Sequence, residues 1–305
     1  MKLRLGTRAS TLATTQSGMV ADALVAAAAS RGTTLDVELV EITTEGDTST
    51  GSLVGLSQVG VFVNALRDAL IAGECDLIVH SLKDMPVDPH PDLSLAALVT
   101  REDVRDALCT GGIAWEELAE GATVGTSSPR RAAQLRALRP DLRVVDIRGN
   151  VDTRLSKLGN GFDAVVLAAA GLKRLGRLDE ATHLFSPDQM LPAPGQGALA
   201  VEIAADADDD LRSLVTSLDD ADTRAAVTAE RAALAVLDGG CAVPVAALAI
   251  VDGLDLRLHV RIVNTAGTLM LNEVSRGVSR EALSIGRSSG HALLGRGAAR
   301  LMEST

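Results

Sequence analysis

The chain reads DLIVHSLKDMP from residue 76 to residue 86, an apolar strand that runs straight into a polar loop. Upstream, alternation at residues 2–7 predicts a strand, and Ser10 is placed to cap a helix that continues to about residue 30. A second strand is predicted at 35–42 and a second helix at 61–72. Because strands and helices alternate at this spacing, we expect a parallel α/β lobe that binds ligand at the carboxyl ends of its strands.

The same alternation starts again after about residue 100. Strands are predicted at 123–126, 142–147 and 163–168, and further strands follow a crossing segment at 191–197. We therefore predict an α/β fold of two similar lobes with a smaller C-terminal α+β domain. The predicted bounds are 1–99 with 195–218 for the first lobe, 100–194 for the second, basic lobe and 219–305 for the C-terminal domain.

Composition narrows the class of protein. Of 305 residues 47% are hydrophobic, which excludes general disorder, and no uninterrupted apolar run is long enough to span a bilayer. The first residues lack the apolar core of a signal peptide, so we expect a cytoplasmic protein with no membrane partner. Three separated cysteines and five scattered histidines predict neither a disulfide framework nor a metal site. No long apolar surface stripe requires a dimer, so we expect a monomer.

Charge is distributed unevenly along the chain. The formal net charge is −11, which argues against nucleic acid as the main partner. Between residues 130 and 177, however, eleven Lys or Arg face four acids, a local excess of seven positive charges. Such an island suits a small polyanion. A solvated helix face is the alternative for some of these residues, Arg136 and Arg139 above all.

Two predicted loops of the second lobe carry anion-binding chemistry. Residues 126–131 read TSSPRR, which puts hydroxyls and free amides at a helix start beside Arg130 and Arg131. Arg148, Gly149 and Asn150 repeat the arrangement after the next strand, with Arg154 on the following helix. An ordinary cap with surface arginines is the plain alternative for each loop. Two such corners in one lobe favour a ligand with several carboxylates.

The first lobe and the C-terminal domain add Lys83, Asp84 and Cys241 as candidates for chemistry. Lys83 and Asp84 follow a buried strand, where a carboxylate can stabilise positive charge or relay protons; a loop salt bridge is the alternative. His80, at the strand end, is predicted to be a hydrogen-bonded structural residue. Cys241 follows Gly239 and Gly240, so its thiol sits on a flexible turn.

Together these segments resemble the porphobilinogen deaminase family. The matching segments, in order, are TRAS (7–10), HSLKDMP (80–86), GTSSPRR (125–131), RGNVDTRL (148–155), AGLKRLG (170–176), LPAPGQGA (191–198) and ER through GGCAVP (230–244). They span nearly the whole chain with the family's spacing.

The resemblance implies two lobes like those of periplasmic binding proteins, and a dipyrromethane cofactor joined to Cys241 by a thioether. It implies a transferase that deaminates four porphobilinogen molecules, joins them head to tail onto the cofactor and releases hydroxymethylbilane. Asp84 is the implied catalytic residue. The residues implied to bind the cofactor are Cys241, Lys83, Asp84, Thr126, Ser127, Ser128, Arg130, Arg131, Arg148 and Gly149. Those implied to bind substrate are Arg8, Ser10, Arg148, Asn150, Arg154, Arg174 and Gln196.

The chain departs from the family in the loop from Gly51 to Asn64, which reads as a mobile cover of the active site. Gly55, Val59 and Asn64 stand where relatives carry lysines.

Two other functions stay open from the residues alone. A binding module could capture a dianionic ligand in an arginine-lined cleft, and a cysteine-dependent acyl or sulfur transferase could use Cys241. The second would need a general base near that thiol, and its own segment offers no histidine.

Overall fold

The computed structural model describes residues 1–42, 58–237 and 244–303, with the side chains of 58–62 and 303 outside this description. Cys241 and residues 43–57 therefore lie outside the described residues. The chain forms two compact units, Met1–Arg101 with Ala198–Arg224 and Glu102–Gly197 with Ala225–Thr305.

The strands are numbered along the chain: β1 (Lys2–Thr7), β2 (Asp36–Glu41), β3 (Leu77–Ser81), β4 (Leu93–Val99), β5 (Asp106–Cys109), β6 (Thr123–Gly125), β7 (Arg143–Val145), β8 (Ala164–Ala168), β9 (His183–Leu184), β10 (Leu199–Ala204), β11 (Val245–Asp252), β12 (Asp255–Val263) and β13 (Met270–Val278). The described helices are α1 (Thr11–Ser30), α2 (Gln58–Ile71), α3 (Pro129–Leu138), α4 (Val151–Leu155), α5 (Ala169–Arg174), α6 (Asp209–Thr216), α7 (Ala221–Val236), α8 (Ala282–Gly295) and α9 (Ala298–Glu303). Short 3₁₀ turns lie at Leu82–Asp84, Trp115–Glu117, Leu178–Glu180 and Ser279–Glu281.

The first two sheets share one strand order. The first runs β2-β1-β3-β10-β4 and the second β7-β6-β8-β5-β9. In each sheet the fourth strand is antiparallel to both neighbours, and the first three strands are parallel. The two similar α/β lobes of the prediction are thus confirmed.

The predicted parallel pairing holds for the first three strands of each sheet, whereas β10 and β5 are antiparallel to their neighbours. The sequence pattern predicted no strand at β4, β5 or β9. A parallel strand requires a crossover from a neighbour, usually through a helix. β5 follows β4 of the first sheet along the chain, and β10 follows β9 of the second sheet. Neither strand is reached by a crossover within its own sheet, and both run antiparallel to their neighbours.

The first sheet is buried on both faces. Leu5, Leu77 and Val201 pack with α1 and α6 on one face. Leu66 and Ile78 belong to a second cluster that joins α2 to the other face. Strands buried on both faces read as continuous apolar runs, which explains why 77–79 carries no polar residue.

The third sheet is the antiparallel β11-β12-β13 meander, whose core includes side chains of α7 and α8. Gly286 of α8 allows a close approach of the two helices, because a Cβ there would meet the Ala229 carbonyl oxygen at 2.2 Å. This sheet and its helices form the predicted C-terminal α+β part.

The solvated-face interpretation of Arg136 and Arg139 is wrong. Both side chains are half-buried, since Arg136 donates to the Thr265 carbonyl at 2.7 Å and Arg139 pairs with Asp141 at 2.6 Å. Neighbouring loops cover this helix face, which a helical pattern alone does not reveal.

Within the described residues, no helix has the length and apolar character that a membrane span requires.

Candidate functional site

A polar cavity of about 120 Å³ lies in the first unit, at the carboxyl ends of β1 and β3. It brings together three of the predicted residues, Arg8, Ser10 and Asp84. The lining is Arg8, Ser10, Leu12, Ala13, Gln16, Val63, Leu66, Val79, His80, Ser81 and Asp84. Carboxyl ends of strands are where open α/β sheets bind ligands.

A helix cap and a short turn position Ser10 and Asp84 at the cavity. Ser10 is the N-cap of α1, and its hydroxyl accepts from the Ala13 amide at 3.4 Å, as predicted. Asp84 is exposed at the end of the Leu82–Asp84 turn, and the Leu82 amide donates to the Ala198 carbonyl at 3.0 Å. Lys83 in the same turn is half-buried. The turn therefore presents the Asp84 carboxylate on a fixed strand end.

Two polar side chains of the cavity were not singled out from the sequence. Gln16 of α1 and Ser81 of β3 hydrogen-bond to each other, with Gln16 Nε2 3.0 Å from Ser81 Oγ. Gln16 lies in the polar run at residues 14–17 of α1, which by itself indicates a solvent-facing part of the helix. Its partner is decided by how α1 packs on β3.

The second unit contains a buried acid between two of the predicted arginines. Asp106 begins β5 and is fully buried. Its Oδ1 lies 2.7 Å from Nη2 of Arg131, and its Oδ2 lies 2.8 Å from Nη1 of Arg130. Arg130 also donates to the Leu191 carbonyl at 2.7 Å, and Arg131 donates to the Val166 carbonyl at 3.1 Å.

Electrostatics at this cluster leave an excess of positive charge. Burial works to raise the pKa of Asp106, but the charges of Arg130 and Arg131 lower it well below its ordinary range. Burial also lowers the pKa of the Arg130 guanidinium, and the charge of Asp106 offsets part of that effect. One carboxylate therefore neutralises only one of two buried guanidinium groups. Nε of Arg130 is buried and has no hydrogen-bond partner among the described residues.

Hydroxyls at the start of α3 lie beside this cluster in sequence. Ser128 is the N-cap, accepting from the Arg131 amide at 3.4 Å, and Pro129 occupies the first turn, as predicted. Thr126 is buried and its hydroxyl accepts from the Ser128 amide at 3.2 Å. Ser127 is exposed, and its hydroxyl accepts from Arg154 Nη2 at 3.2 Å. The two predicted corners of this lobe therefore meet through Ser127 and Arg154.

The second corner depends on Gly149. This residue has φ +118°, and a Cβ there would lie 2.5 Å from the Thr153 side chain. Asn150 caps α4 by accepting from the Thr153 amide at 2.9 Å, and Arg154 Nε donates to the Gly149 carbonyl at 2.8 Å. Arg148 is exposed and paired with Asp146 at 2.9 Å.

The crossing segment supplies the remaining predicted residues. Gln196 is fully buried and donates to Asp106 Oδ1 at 3.0 Å, so it belongs to the cluster of Arg130 and Arg131. Arg174, at the end of α5, is half-buried and donates to the Gly197 carbonyl at 2.7 Å. Burial lowers the pKa of Arg174, and the charge of Glu102 offsets part of it.

Sequence reasoning missed Asp106 as the centre of this cluster. It lies in the run REDVRD (101–106), where alternating charges read as a solvated loop. The only sequence signal was that this acid directly precedes the apolar residues 107–109.

Within the described residues, no group of three or more His, Cys, Asp or Glu side chains is placed to hold a metal ion.

A polycarboxylate group fits the residues of the second unit. The buried Nε atoms of Arg130 and Arg174 have no hydrogen-bond partner in the described parts of the chain, and unpaired buried donors are costly unless a ligand satisfies them. The Arg130–Arg131–Asp106 cluster carries one uncompensated positive charge. Arginines bind carboxylates through paired hydrogen bonds. A dipyrromethane, with an acetate and a propionate on each ring, carries carboxylates that such arginines can bind.

Comparison with solved structures finds distant likenesses. The lipoprotein Tp32 from Treponema pallidum is 10% identical with a TM-score of 0.45, over 71% of this chain and 90% of that chain. A substrate binding domain of a putative amino acid ABC transporter from Streptococcus pneumoniae is 14% identical with a TM-score of 0.43, over 72% of this chain and 91% of that chain. Neither likeness is close enough to inform function.

Family comparisons are far closer. A family model described as porphobilinogen deaminase, dipyromethane cofactor binding domain, matches residues 3–212, and the C-terminal domain model of the same family matches residues 224–295. The porphobilinogen deaminase of Thermobifida fusca is 52% identical over 97% of this chain and 94% of its own length. That of Leifsonia xyli is 57% identical over 82% of this chain and 76% of its own length. The chain belongs to the porphobilinogen deaminase family and carries its dipyrromethane cofactor binding domain.

Proposed function

We propose that this chain is a hydroxymethylbilane synthase. It deaminates porphobilinogen, joins four such units head to tail onto a dipyrromethane held by Cys241, and releases hydroxymethylbilane. The observation that carries the proposal is the cavity at the ends of β1 and β3, which gathers Arg8, Ser10 and Asp84 in a chain of this family.

The cavity of the first unit supplies the reacting carboxylate. When ammonia leaves porphobilinogen with the bonding electrons, the ring system becomes electron-poor and its N–H becomes a stronger donor. Asp84, exposed at the end of its turn, is the group that stabilises this positive charge by accepting that hydrogen bond. Arg8 and Ser10 orient the substrate by its carboxylates, and Lys83 holds a carboxylate of the cofactor.

The second unit supplies the anion-binding groups. We assign Thr126, Ser127, Ser128, Arg130, Arg131, Arg148 and Gly149 to the cofactor, and Arg148, Asn150, Arg154, Arg174 and Gln196 to substrate and the growing chain. Two observations support this assignment. Arg130 and Arg131 together carry one more positive charge than Asp106 neutralises, and a hydrogen bond joins Ser127 to Arg154. The guanidinium of Arg131 is held in the cluster by Asp106 and by the Val166 carbonyl, which fixes the position of the positive charge assigned to the cofactor.

The bound dipyrromethane supplies the pyrrole carbon at which the chain is extended. Cys241 lies outside the described residues, and its role as the thioether anchor rests on the family and on its glycine-rich segment.

Intact-protein mass spectrometry tests the proposal. Protein from a host that makes porphobilinogen should carry an added mass of two condensed pyrrole units, and Cys241→Ala should lack it. Cys109→Ala, at a fully buried thiol, is the matched control and should keep the adduct. An unmodified native mass, together with no consumption of porphobilinogen, contradicts the proposed function.

We also propose a domain organisation, an oligomeric state, a location and a class of partner for this chain. The chain works as a cytoplasmic monomer in three domains, with bounds near 1–99 with 195–218, 100–194 and 219–305. It takes a small polycarboxylate substrate and neither nucleic acid nor a membrane. The net charge of −11 and the unpaired, buried thiols of Cys75 and Cys109 support this assignment.

A further inference from the structure

A buried glutamine of α3 joins the C-terminal sheet to the arginine cluster of the second unit. Gln134 is 1% exposed. Its Oε1 accepts from Nη1 of Arg261, on β12, at 3.0 Å and from the Leu191 amide at 2.9 Å. Its Nε2 donates to the Leu191 carbonyl at 2.9 Å and to the Arg130 carbonyl at 3.4 Å. Gln134 therefore holds both backbone polar groups of Leu191.

The Leu191 carbonyl is also a partner of the Arg130 guanidinium. Nη1 of Arg130 donates to this carbonyl at 2.7 Å and lies 2.8 Å from Oδ2 of Asp106. Nε of Arg130 is buried and has no hydrogen-bond partner in the described parts of the chain. The direction in which this donor points thus depends on two acceptors, and Gln134 holds one of them.

Arg261 determines which way the Gln134 amide points. A guanidinium and a backbone N–H only donate, so the Gln134 atom that faces both of them must be the oxygen. The amide nitrogen then has to face the Leu191 carbonyl. Arg261 is itself buried, and it also donates from Nε to Asn272 Oδ1 at 2.9 Å and from Nη2 to the Asp188 carbonyl at 3.2 Å. Its guanidinium is therefore held in one orientation.

The C-terminal sheet contacts α3 and the segment after Leu191 at further points. Gly267, in the turn after β12, has φ +77°, and a Cβ there would lie 2.6 Å from the Ala137 amide nitrogen. The Ala247 amide of β11 donates to the Pro192 carbonyl at 3.0 Å. Close packing of this kind transmits small displacements. A change on β12 can therefore reach the arginine cluster.

We propose that Arg261 and Gln134 are positioning residues of the reaction, which hold the Arg130 guanidinium, through the Leu191 carbonyl, where it binds a carboxylate of the dipyrromethane. The proposal rests on the function proposed above, because that function assigns Arg130 to the cofactor. Both residues act through Leu191 and not by contact with the ligand. The C-terminal part of the chain thus contributes to the cofactor site by positioning an arginine as well as by the proposed anchor Cys241.

Nitrogen NMR of the arginine side chains in the native protein tests the positioning directly. In Arg261→Met and in Gln134→Glu, exchange of the Arg130 Nε proton with water should rise about ten-fold, the change expected for the loss of one hydrogen bond. The new carboxylate of Gln134→Glu still accepts from Arg261, but it repels the Leu191 carbonyl because it cannot donate. This variant keeps the test decisive if Arg261→Met does not fold.

Arg131 is the internal control of the same spectra. Its guanidinium is held by Asp106 and by the Val166 carbonyl, so its Nε proton should exchange at the native rate in both variants. The two resonances are identified by their loss in Arg130→Lys and in Arg131→Lys. An unchanged rate at Arg130, or an equal rise at Arg131 as general loosening would give, overturns the proposal.

Steady-state kinetics connects the position of Arg130 to the reaction. Porphobilinogen consumption per adduct-bearing molecule should fall about ten-fold in Arg261→Met and in Gln134→Glu. Arg261→Lys, which can still donate to the Gln134 oxygen, should recover part of the loss. Arg257→Met, at an exposed arginine of the same strand, is the matched control and should turn over normally. Native turnover in both test variants overturns the proposal.

Failure of the positioning and failure of the function are distinguishable. If the native protein carries no adduct and consumes no porphobilinogen, the proposed function fails. The exchange rates at Arg130 and Arg131 still decide whether Arg261 and Gln134 hold the Arg130 guanidinium.

Discussion

Asp106 Oδ1 accepts from Nε of Arg131 at 2.9 Å in the core of the second unit, and the two residues are 25 positions apart in the chain. Because Arg130 shares the same carboxylate, the loss of this acid would leave two buried guanidinium groups facing each other. The relationship makes Asp106 a structural requirement for the arginines assigned to the cofactor.

Asp106→Asn should destabilise the fold by about 3–5 kcal/mol, the cost of leaving buried charge uncompensated. Urea denaturation followed by circular dichroism measures the change. Asp146→Asn, which removes the partner of exposed Arg148, is the control and should cost less than about 1 kcal/mol. Equal stability of the two variants would contradict the assigned role of Asp106.

Acid should weaken the first unit through Glu202. Burial alone would raise the pKa of Glu202, but the nearby side chains of His80 and Arg67 outweigh it and lower the pKa to about 2. A carboxyl with a depressed folded pKa contributes stability that is present above its unfolded value of 4.5 and lost as pH falls toward about 2.

We therefore expect the unfolding free energy to fall by up to about 3 kcal/mol through this group between those two pH values. Chemical denaturation at several pH values measures the slope. Glu202→Gln should flatten part of it, and an identical slope in that variant would rule out Glu202 as a source.

Asp84→Asn should fold normally and turn over porphobilinogen about 10²–10⁴-fold more slowly. The side chain is exposed, so its replacement creates no cavity and no buried unpaired group. Porphobilinogen consumption and thermal unfolding are measured on the same preparation. Asp88→Asn, an exposed acid four residues later, is the control. Near-normal turnover of Asp84→Asn would remove the carboxylate from its assigned role.

Gly149→Ala should disturb the corner that holds Arg148 and Asn150. The backbone has φ +118°, and the new Cβ would collide with the Thr153 side chain. We expect a loss of about 1–3 kcal/mol in unfolding free energy and a lower yield of the covalent adduct. Gly159→Ala is matched, because φ there is +73° but the space around a Cβ is open. It should cost less and leave the adduct intact.

Thiol titration should find no reactive cysteine in the native, cofactor-loaded protein. Burial raises the pKa of Cys75 to about 11 and that of Cys109 to about 12, so neither forms a thiolate at neutral pH. If Cys241 carries the proposed thioether, its sulfur is bonded and it should not react either. In the denatured protein the titration should then count two reactive thiols, those of Cys75 and Cys109. A third reactive thiol would mean that Cys241 is free.

The sequence by itself determined much of this protein. Period-two and helical patterns gave the alternating strands and helices, and cap chemistry gave Ser10 and Ser128 their places. These features are local, since each depends on residues within a few positions. The matched segments also identified the family, because side chains of fixed type recur at fixed spacing.

Only the tertiary structure decided which charges meet. Glu202 and Arg67 are 135 residues apart, and they are brought together because β10 enters the first sheet between β3 and β4. Asp106 likewise reaches Arg130 and Arg131 because β5 inserts beside β8. The periodicity of apolar residues indicates which face of a strand is buried. It does not indicate which strand lies beside it or in which direction the two run. The partners of the buried arginines follow from that long-range strand order.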